Sequence, residues 1–178
     1  MSNNTKMSLS EIRASLFLAS VYGLRMLGMF LILPIFAIYA SGLPGSPSQL
    51  QIGIALGIYG LTQAAFQIPF GMSSDFFGRK KVIYFGLALF VLGSIIAATS
   101  THIEGIIIGR AIQGAGAISA VLTALLSDLT RDEHRTKAMA IVGASIGLTF
   151  ALSLVISAWL NDKIGVSGIF FMMAILSI

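Results

Sequence analysis

The sequence contains no cysteine, which excludes disulfides, thiolate nucleophiles and cysteine-ligated metal sites. It is also poor in charge: 10% of its residues are Asp, Glu, Lys or Arg, against roughly 25% in a soluble domain. So few charges cannot cover a folded surface in water. In their place stand 56% hydrophobic residues and a mean hydropathy of +0.93, gathered in long runs that point to lipid as the solvent. No nucleophile–base constellation, nucleotide-binding loop or metal-ligand cluster can be assembled, so neither enzymatic activity nor a cofactor or metal site is expected. His102 and His134 fall in short polar breaks and read as solvated loop residues.

Six apolar runs follow one another, at approximately 16–39, 52–72, 82–99, 105–126, 138–160 and 164–178. The first five each approach the ~20 residues needed to cross the hydrocarbon as a helix. A barrel strand would need only ~10 residues and a strict alternation of polar and apolar positions, which does not occur. The sixth run is still apolar where the chain ends, and reads as an incomplete span. The polar stretch 1–13 precedes an apolar run too long for a signal-peptide core and without a small-residue cleavage site, so that run is read as a retained first span. The fold expected is therefore an all-α, polytopic membrane protein.

Orientation follows from the basic residues. Lys6 and Arg13 precede the first run; Arg79, Lys80 and Lys81 separate the second and third; Arg131, Arg135 and Lys137 separate the fourth and fifth. The opposite breaks hold only Lys163. The N-terminus is thus expected to be cytoplasmic, and the net charge of +4 reflects topology and not a nucleic-acid footprint. Tyr39 and Trp159 sit at the outer ends of runs one and five, where amphipathic rings favour the interface. Gly53 with Gly57, and Gly143 with Gly147, are spaced to let neighbouring backbones approach. Pro34 and Pro69 are expected to bend their helices, and residues 42–48 form an external turn.

The segment richest in chemistry is 71–81. An acid, Asp75, ends one run, Gly78 permits a tight reversal, and Arg79, Lys80 and Lys81 open the next. Asp75 can pair with Arg79 across the turn or cap an adjoining helix start. A positive-inside anchor alone accounts for Lys80 and Lys81 but not for the acid and the glycine. The segment resembles motif A of the major facilitator superfamily, with Gly71, Asp75, Gly78, Arg79 and Lys80 on the pattern and Phe76 where a basic residue is usual. The resemblance implies a latch on the cytoplasmic gate, weakened here by the loss of one cation.

A second resemblance covers 109–117, where Arg110, Gln113 and Gly114 match motif B of proton-coupled members. An arginine within a span costs ~2.5–3.5 kcal/mol on insertion scales, so it is a functional candidate. The three residues share one helical face, which could turn a fixed cation toward the central cavity; the alternative is an arginine snorkelling to the outer interface. Arg25 lies deeper, in the first run. All seven acids lie at the ends of runs or between them, leaving Arg25 to carbonyls, to Gln63, Gln67 or Gln113, to water or to an absent half. Asp128 and Arg135 repeat the acid-then-arginine order after run four, and an ion-pair network of Asp75, Arg79, Asp128 and Arg135 is expected at the cytoplasmic mouth. Run five lacks the Gly-Pro step of motif C, with Ser157 and Ala158 near its place.

The resemblance implies that residues 1–178 form the N-terminal transmembrane half of a secondary transporter, with the C-terminal half absent. It implies alternating access in a bacterial inner membrane, with a small-molecule substrate, protons, the lipid bilayer and the missing half as partners, and efflux driven by protons is the function expected. A half without transport activity, or a metabolite importer of the same superfamily, are the alternatives.

Overall fold

The computed structural model describes residues 6–178, so residues 1–5 of the polar N-terminal stretch lie outside the described residues. Helix α1 (Leu9–Ser41) starts at a capping box: the Ser8 hydroxyl accepts from the Glu11 amide at 3.2 Å, and the Glu11 carboxylate accepts from the Ser8 amide at 2.7 Å. Ser48 and Gln51 build the same device at the start of α2 (Gln49–Phe77). These caps satisfy amides that a helix start would otherwise leave unpaired. The helices therefore begin several residues ahead of the apolar runs, and both continue through their prolines, Pro34 and Pro69. Residues 42–48 form the turn between them, with Gly45 at φ +87°.

Gly78, at φ 90°, allows α2 to end and α3 (Arg79–Thr99) to begin one residue later. Only glycine occupies that backbone region without steric cost. The fourth apolar run is divided into α4 (Ile103–Ala115) and α5 (Ser119–Asp128), with Gly116 at φ −70°, ψ 47° in the break. A 3₁₀ turn, Asp132–His134, leads into α6 (Arg135–Leu176). It also buries His134, at 2% exposure, so that histidine is not the solvated loop residue expected; His102 is exposed.

At 42 residues, α6 would reach about 63 Å as a straight rod, twice the ~30 Å hydrocarbon. It is not straight: Gly165 has non-helical angles, φ 67° and ψ 174°. Its two parts pack along α1 in opposite senses. Ser145 Oγ donates to the Ala19 carbonyl at 3.1 Å, and Thr149 lies beside Gly23. Beyond the kink, Met173 lies beside Gly28, and Leu176 and Ser177 share a cavity with Val21 and Leu24. The polar break expected at 161–163 thus stays helical, and the irregular residue is Gly165.

No strand occurs among the described residues. Among the described residues, five helical stretches are long and apolar enough to cross a membrane: Leu9–Ser41, Gln49–Phe77, Arg79–Thr99, Ile103–Asp128 and Asp132–Leu176. The protein is a multi-pass, all-helical membrane protein.

In lipid there is no hydrophobic drive to associate, so close packing and interhelical hydrogen bonds hold the bundle. A Cβ built on Gly93 would fall 2.5 Å from the Gly109 carbonyl oxygen, and one on Gly109 would fall 2.6 Å from the Ala97 amide, so α3 and α4 cross at backbone contact. Gly114 lies equally tight against the Tyr59 carbonyl of α2, and Gly116 against Gly86 of α3. Interhelical hydrogen bonds average only ~0.6 kcal/mol in membranes. Those from Tyr22 to the Ser119 carbonyl (2.9 Å) and from Gln113 to Ser94 (2.7 Å) are therefore adjuncts to the glycine crossings. The four glycines at 53, 57, 143 and 147, expected at such crossings, meet no neighbour within 4 Å. Those faces of α2 and α6 turn out of the bundle.

Candidate functional site

Two clusters carry the polar chemistry. The first lies where α2 meets α3 and α5 meets α6. The Gly78 reversal swings Arg79 back over the end of α2, where its guanidinium meets Asp75 Oδ1 at 2.6 Å and the Ser74 hydroxyl. Its Nε donates to Asp128 Oδ2 at 3.1 Å. Arg79 is 22% exposed, the two carboxylates 60% and 54%, so a half-buried cation is held between two wetter anions. Gly71 faces Ala120 of α5 at ordinary van der Waals range, while Phe76 and Lys80 are exposed.

Arg135 does not follow the expected pairing. It engages Asp132 at 2.9 Å and the Ser127 carbonyl at 3.4 Å, because the 3₁₀ turn places Asp132 one helical step before it. A different clamp occupies the neighbouring position. Glu11, 5% exposed, accepts from the Arg131 amide, Nε and NH2, each at 3.0 Å, while NH2 also donates to the Lys6 carbonyl at 3.2 Å. The Glu11 carboxylate raises the Arg131 guanidinium above its ordinary range. The loop between α5 and α6 is therefore held on two sides, by Arg79 through Asp128 and by Glu11 through Arg131. The Ser8-x-x-Glu11 spacing was a readable sign of the capping box, but nothing local pointed to Arg131.

The second cluster lies inside the bundle. Arg110 of α4 is 1% exposed, so it does not snorkel to an interface. Its Nε donates to the Ala55 carbonyl and its NH1 to Gln113 Oε1, both at 3.4 Å, and its guanidinium carbon lies 4.8 Å from the Tyr59 ring centroid. Gln113 in turn donates to the Ser94 hydroxyl, which donates to the Phe90 carbonyl, both at 2.7 Å. Gly114, one step further, brings α2 close enough for Tyr59 to lie over the arginine.

Arg25 of α1, 2% exposed, donates to the Ser119 hydroxyl at 3.2 Å and lies 6.0 Å from the Phe90 ring centroid. Its partners are thus Ser119 and Phe90, and not Gln63, Gln67 or Gln113. Arg25 Nε and NH2, Arg110 NH2 and the Tyr59 hydroxyl have no hydrogen-bond partner among the described residues. A cation in an apolar interior is costly unless paired, so at Arg25 and Arg110 the bundle holds fixed, incompletely answered positive charge. Among the described residues no three His, Asp or Glu side chains gather as metal ligands.

A bundle of apolar helices with an acid–arginine knot at one end and fixed cations inside defines a class, and residues 18–178 match the Major Facilitator Superfamily. The chain belongs to this family of membrane transporters. Among its relatives, the inner membrane transport protein YajR of Escherichia coli (strain K12) is 55% identical over 175 residues, covering 98% of this chain and 38% of that protein. An uncharacterized transporter of Buchnera aphidicola subsp. Schizaphis graminum (strain Sg) is 48% identical over 175 residues, 98% of this chain and 44% of its own length. Uncharacterized transporter BU466 of Buchnera aphidicola subsp. Acyrthosiphon pisum (strain APS) is 45% identical over 172 residues, 97% of this chain and 44% of its own length. The chain spans about two fifths of the length of these relatives.

Proposed function

We propose that the chain is the N-terminal, six-span half of a secondary transporter that exports a small molecule across a bacterial inner membrane in exchange for protons. In this reading the two parts of α6, on either side of Gly165, are the fifth and sixth spans. The basic end carrying Arg79 and Arg131 is cytoplasmic, as the distribution of lysine and arginine favours. Inner-membrane placement draws on the name of the Escherichia coli relative.

The observation that carries the reading is Arg79 held between Asp75 and Asp128 at 2.6 and 3.1 Å. Exposed pairs of this kind are individually worth ~0–1 kcal/mol, enough to bias a gate between two conformations without locking it. Gly71, Gly78 and Lys80 complete that gate, with Phe76 removing one cation. Asp128 joins it through Arg79, and Arg135 steadies the adjoining turn through Asp132. Arg110, Gln113 and Gly114, together with Arg25, act as fixed charge and its supports beside the transport path. Since both interior groups are arginines, the proton carrier is either Asp75 at the rim or a carboxylate of a C-terminal half.

Proteoliposomes with an imposed proton gradient test this. Substrate flux is expected to follow the gradient, and Asp75→Asn and Arg110→Ala are each expected to slow it about tenfold or more, a barrier change of ~1.4 kcal/mol. Gradient-driven flux that both variants retain in full overturns the assignment.

A second reading, a half with no transport activity of its own, is favoured by the outward-turned glycine faces of α2 and α6. Flux that appears only when a C-terminal half is co-reconstituted supports it. The missing Gly-Pro step in the first part of α6 favours an importer, which counterflow measured in both directions separates from an exporter.

A further inference from the structure

At the Arg79 end, the last turns of α2 and the first turns of α3 enclose a groove of about 350 Å³. Phe70 and Val82 form its floor, at 8% and 7% exposure, and Phe77 and Phe85 form its walls, at 70% and 59%. The Phe70 and Phe85 rings stack with centroids 6.0 Å apart. Ser73 and Lys81 close the rim. The gate knot lies on the other side of this turn: Arg79 is taken up by Asp75 and Asp128, whereas Lys80 and Lys81 make no ion pair among the described residues.

The charge here is out of balance. Lys80 and Lys81 occupy the first turn of α3, where the helix macrodipole disfavours a cation and favours an anion. Gly78, at the cap position, contributes no side-chain hydrogen bond to that turn. An anion seated at Lys81 would offset the lysines and the helix end together. A soluble anion would leave the exposed aromatic walls, Phe77 and Phe85, uncovered, and a neutral lipid would leave the lysines unanswered. One chemistry meets both demands: an anionic head joined to an apolar tail.

We propose that this groove binds an anionic phospholipid, with Lys81 and Ser73 on the phosphate, Lys80 close by, and the Phe70, Phe77 and Phe85 rings flanking the first acyl carbons. Basic pockets between helix ends at a membrane surface have this recognition chemistry, worth about a fivefold change in affinity per lysine. Such a lipid would brace the α2–α3 turn from outside while Asp75 and Asp128 hold Arg79 from inside. The proposal is independent of the transport reading, and its test involves no flux.

The protein in non-ionic detergent, titrated with phosphatidylglycerol or phosphatidylcholine and followed by native mass spectrometry, provides the test. Phosphatidylglycerol is expected to be retained in preference. Lys81→Gln is expected to weaken that retention about fivefold, Lys81→Arg to keep it, and Lys163→Gln at the opposite end to leave it unchanged. Phe85→Ala is expected to weaken retention with all lysines in place. Equal retention of the two lipids, no change on Lys81→Gln, or an equal fall on Lys163→Gln overturns the proposal. So does displacement by inorganic phosphate, which would assign a soluble anion. Efficient disulfide dimerisation of a Phe77→Cys variant in bilayers would assign the groove to a second copy of the chain and equally overturn it.

Discussion

The Arg110 guanidinium lies over the Tyr59 ring, 4.8 Å from carbon to centroid, with both residues at 1% exposure. The aromatic face is the partner that a carboxylate would ordinarily be. It is attractive to a cation without carrying a countercharge, so the site stays net positive while the arginine is held in place. Gly114 sets the distance, because any side chain there would push α4 away from the Tyr59 carbonyl.

Exchanging the guanidinium for an ammonium tests this pairing. Arg110→Lys retains charge but loses the planar group that reaches the Ala55 carbonyl, Gln113 and the ring together. It is expected to lower stability by about 2 kcal/mol, the scale of a desolvated cation–π contact, measured as unfolding in detergent. Arg110→Leu, which removes a buried and incompletely paired charge, is expected to unfold no earlier than the unsubstituted protein. Unfolding of Arg110→Leu at a lower midpoint than Arg110→Lys would mean the cation itself holds the bundle together.

The two kinds of glycine are expected to separate sharply. Gly114→Ala forces a methyl into the Tyr59 carbonyl and Thr62 hydroxyl, an overpacking worth about 1–3 kcal/mol. Gly143→Ala and Gly147→Ala meet open space and are expected to be neutral or stabilising by up to about 1 kcal/mol, the helix-propensity gain. Thermal unfolding of the three variants side by side is the measurement, and equal midpoints would contradict the packing described.

Asp75 and Asp128 share one cation, so their contributions are expected to be non-additive. Each Asn substitution alone is expected to cost less than about 1 kcal/mol, since both carboxylates are more than half exposed and well screened. With Arg79 retained by whichever carboxylate remains, the double substitution is expected to exceed the sum of the singles. A double-mutant cycle on unfolding free energies gives the answer, and strict additivity would mean that Arg79 is not shared.

Glu11→Gln is expected to release Arg131 and loosen the first turn of α1. Amide hydrogen exchange over residues 9–13 and 129–131 should quicken in both segments together. Arg131→Gln should do the same, and the double variant should be no worse than either single one. Faster exchange confined to α1 would reduce the pair to a local capping effect.

Much of the architecture was legible in the sequence. Apolar runs of spanning length and the clustering of lysine and arginine act through solvent and topology, which a linear pattern records well. The Asp75–Arg79 contact was one of two arrangements the sequence offered, the other being a helix cap, and the reversal at Gly78 brings the pair together. Arg135 was misread because its alternative, Asp132, is nearer in the chain, and the 3₁₀ turn that brings it round has no strong sequence sign. The glycine pairs at 53, 57, 143 and 147 meet no neighbour within 4 Å among the described residues: spacing identifies a smooth helix face but not what that face meets.

By itself, the sequence determined that this protein is helical, lives in lipid and concentrates most of its positive charge at one end, since hydrocarbon admits only self-satisfied backbone and makes interior charge costly and rare. Only the tertiary structure decided which residues answer one another. Arg79 meets Asp128 49 positions away, Arg25 meets Ser119 at 94, and Glu11 meets Arg131 at 120. Such pairs depend on how α4 crosses α2 and α3 at Gly93, Gly109 and Gly114, and on the reversal within α6 at Gly165. Those crossings are set by close packing summed over whole helices, which no local spacing encodes.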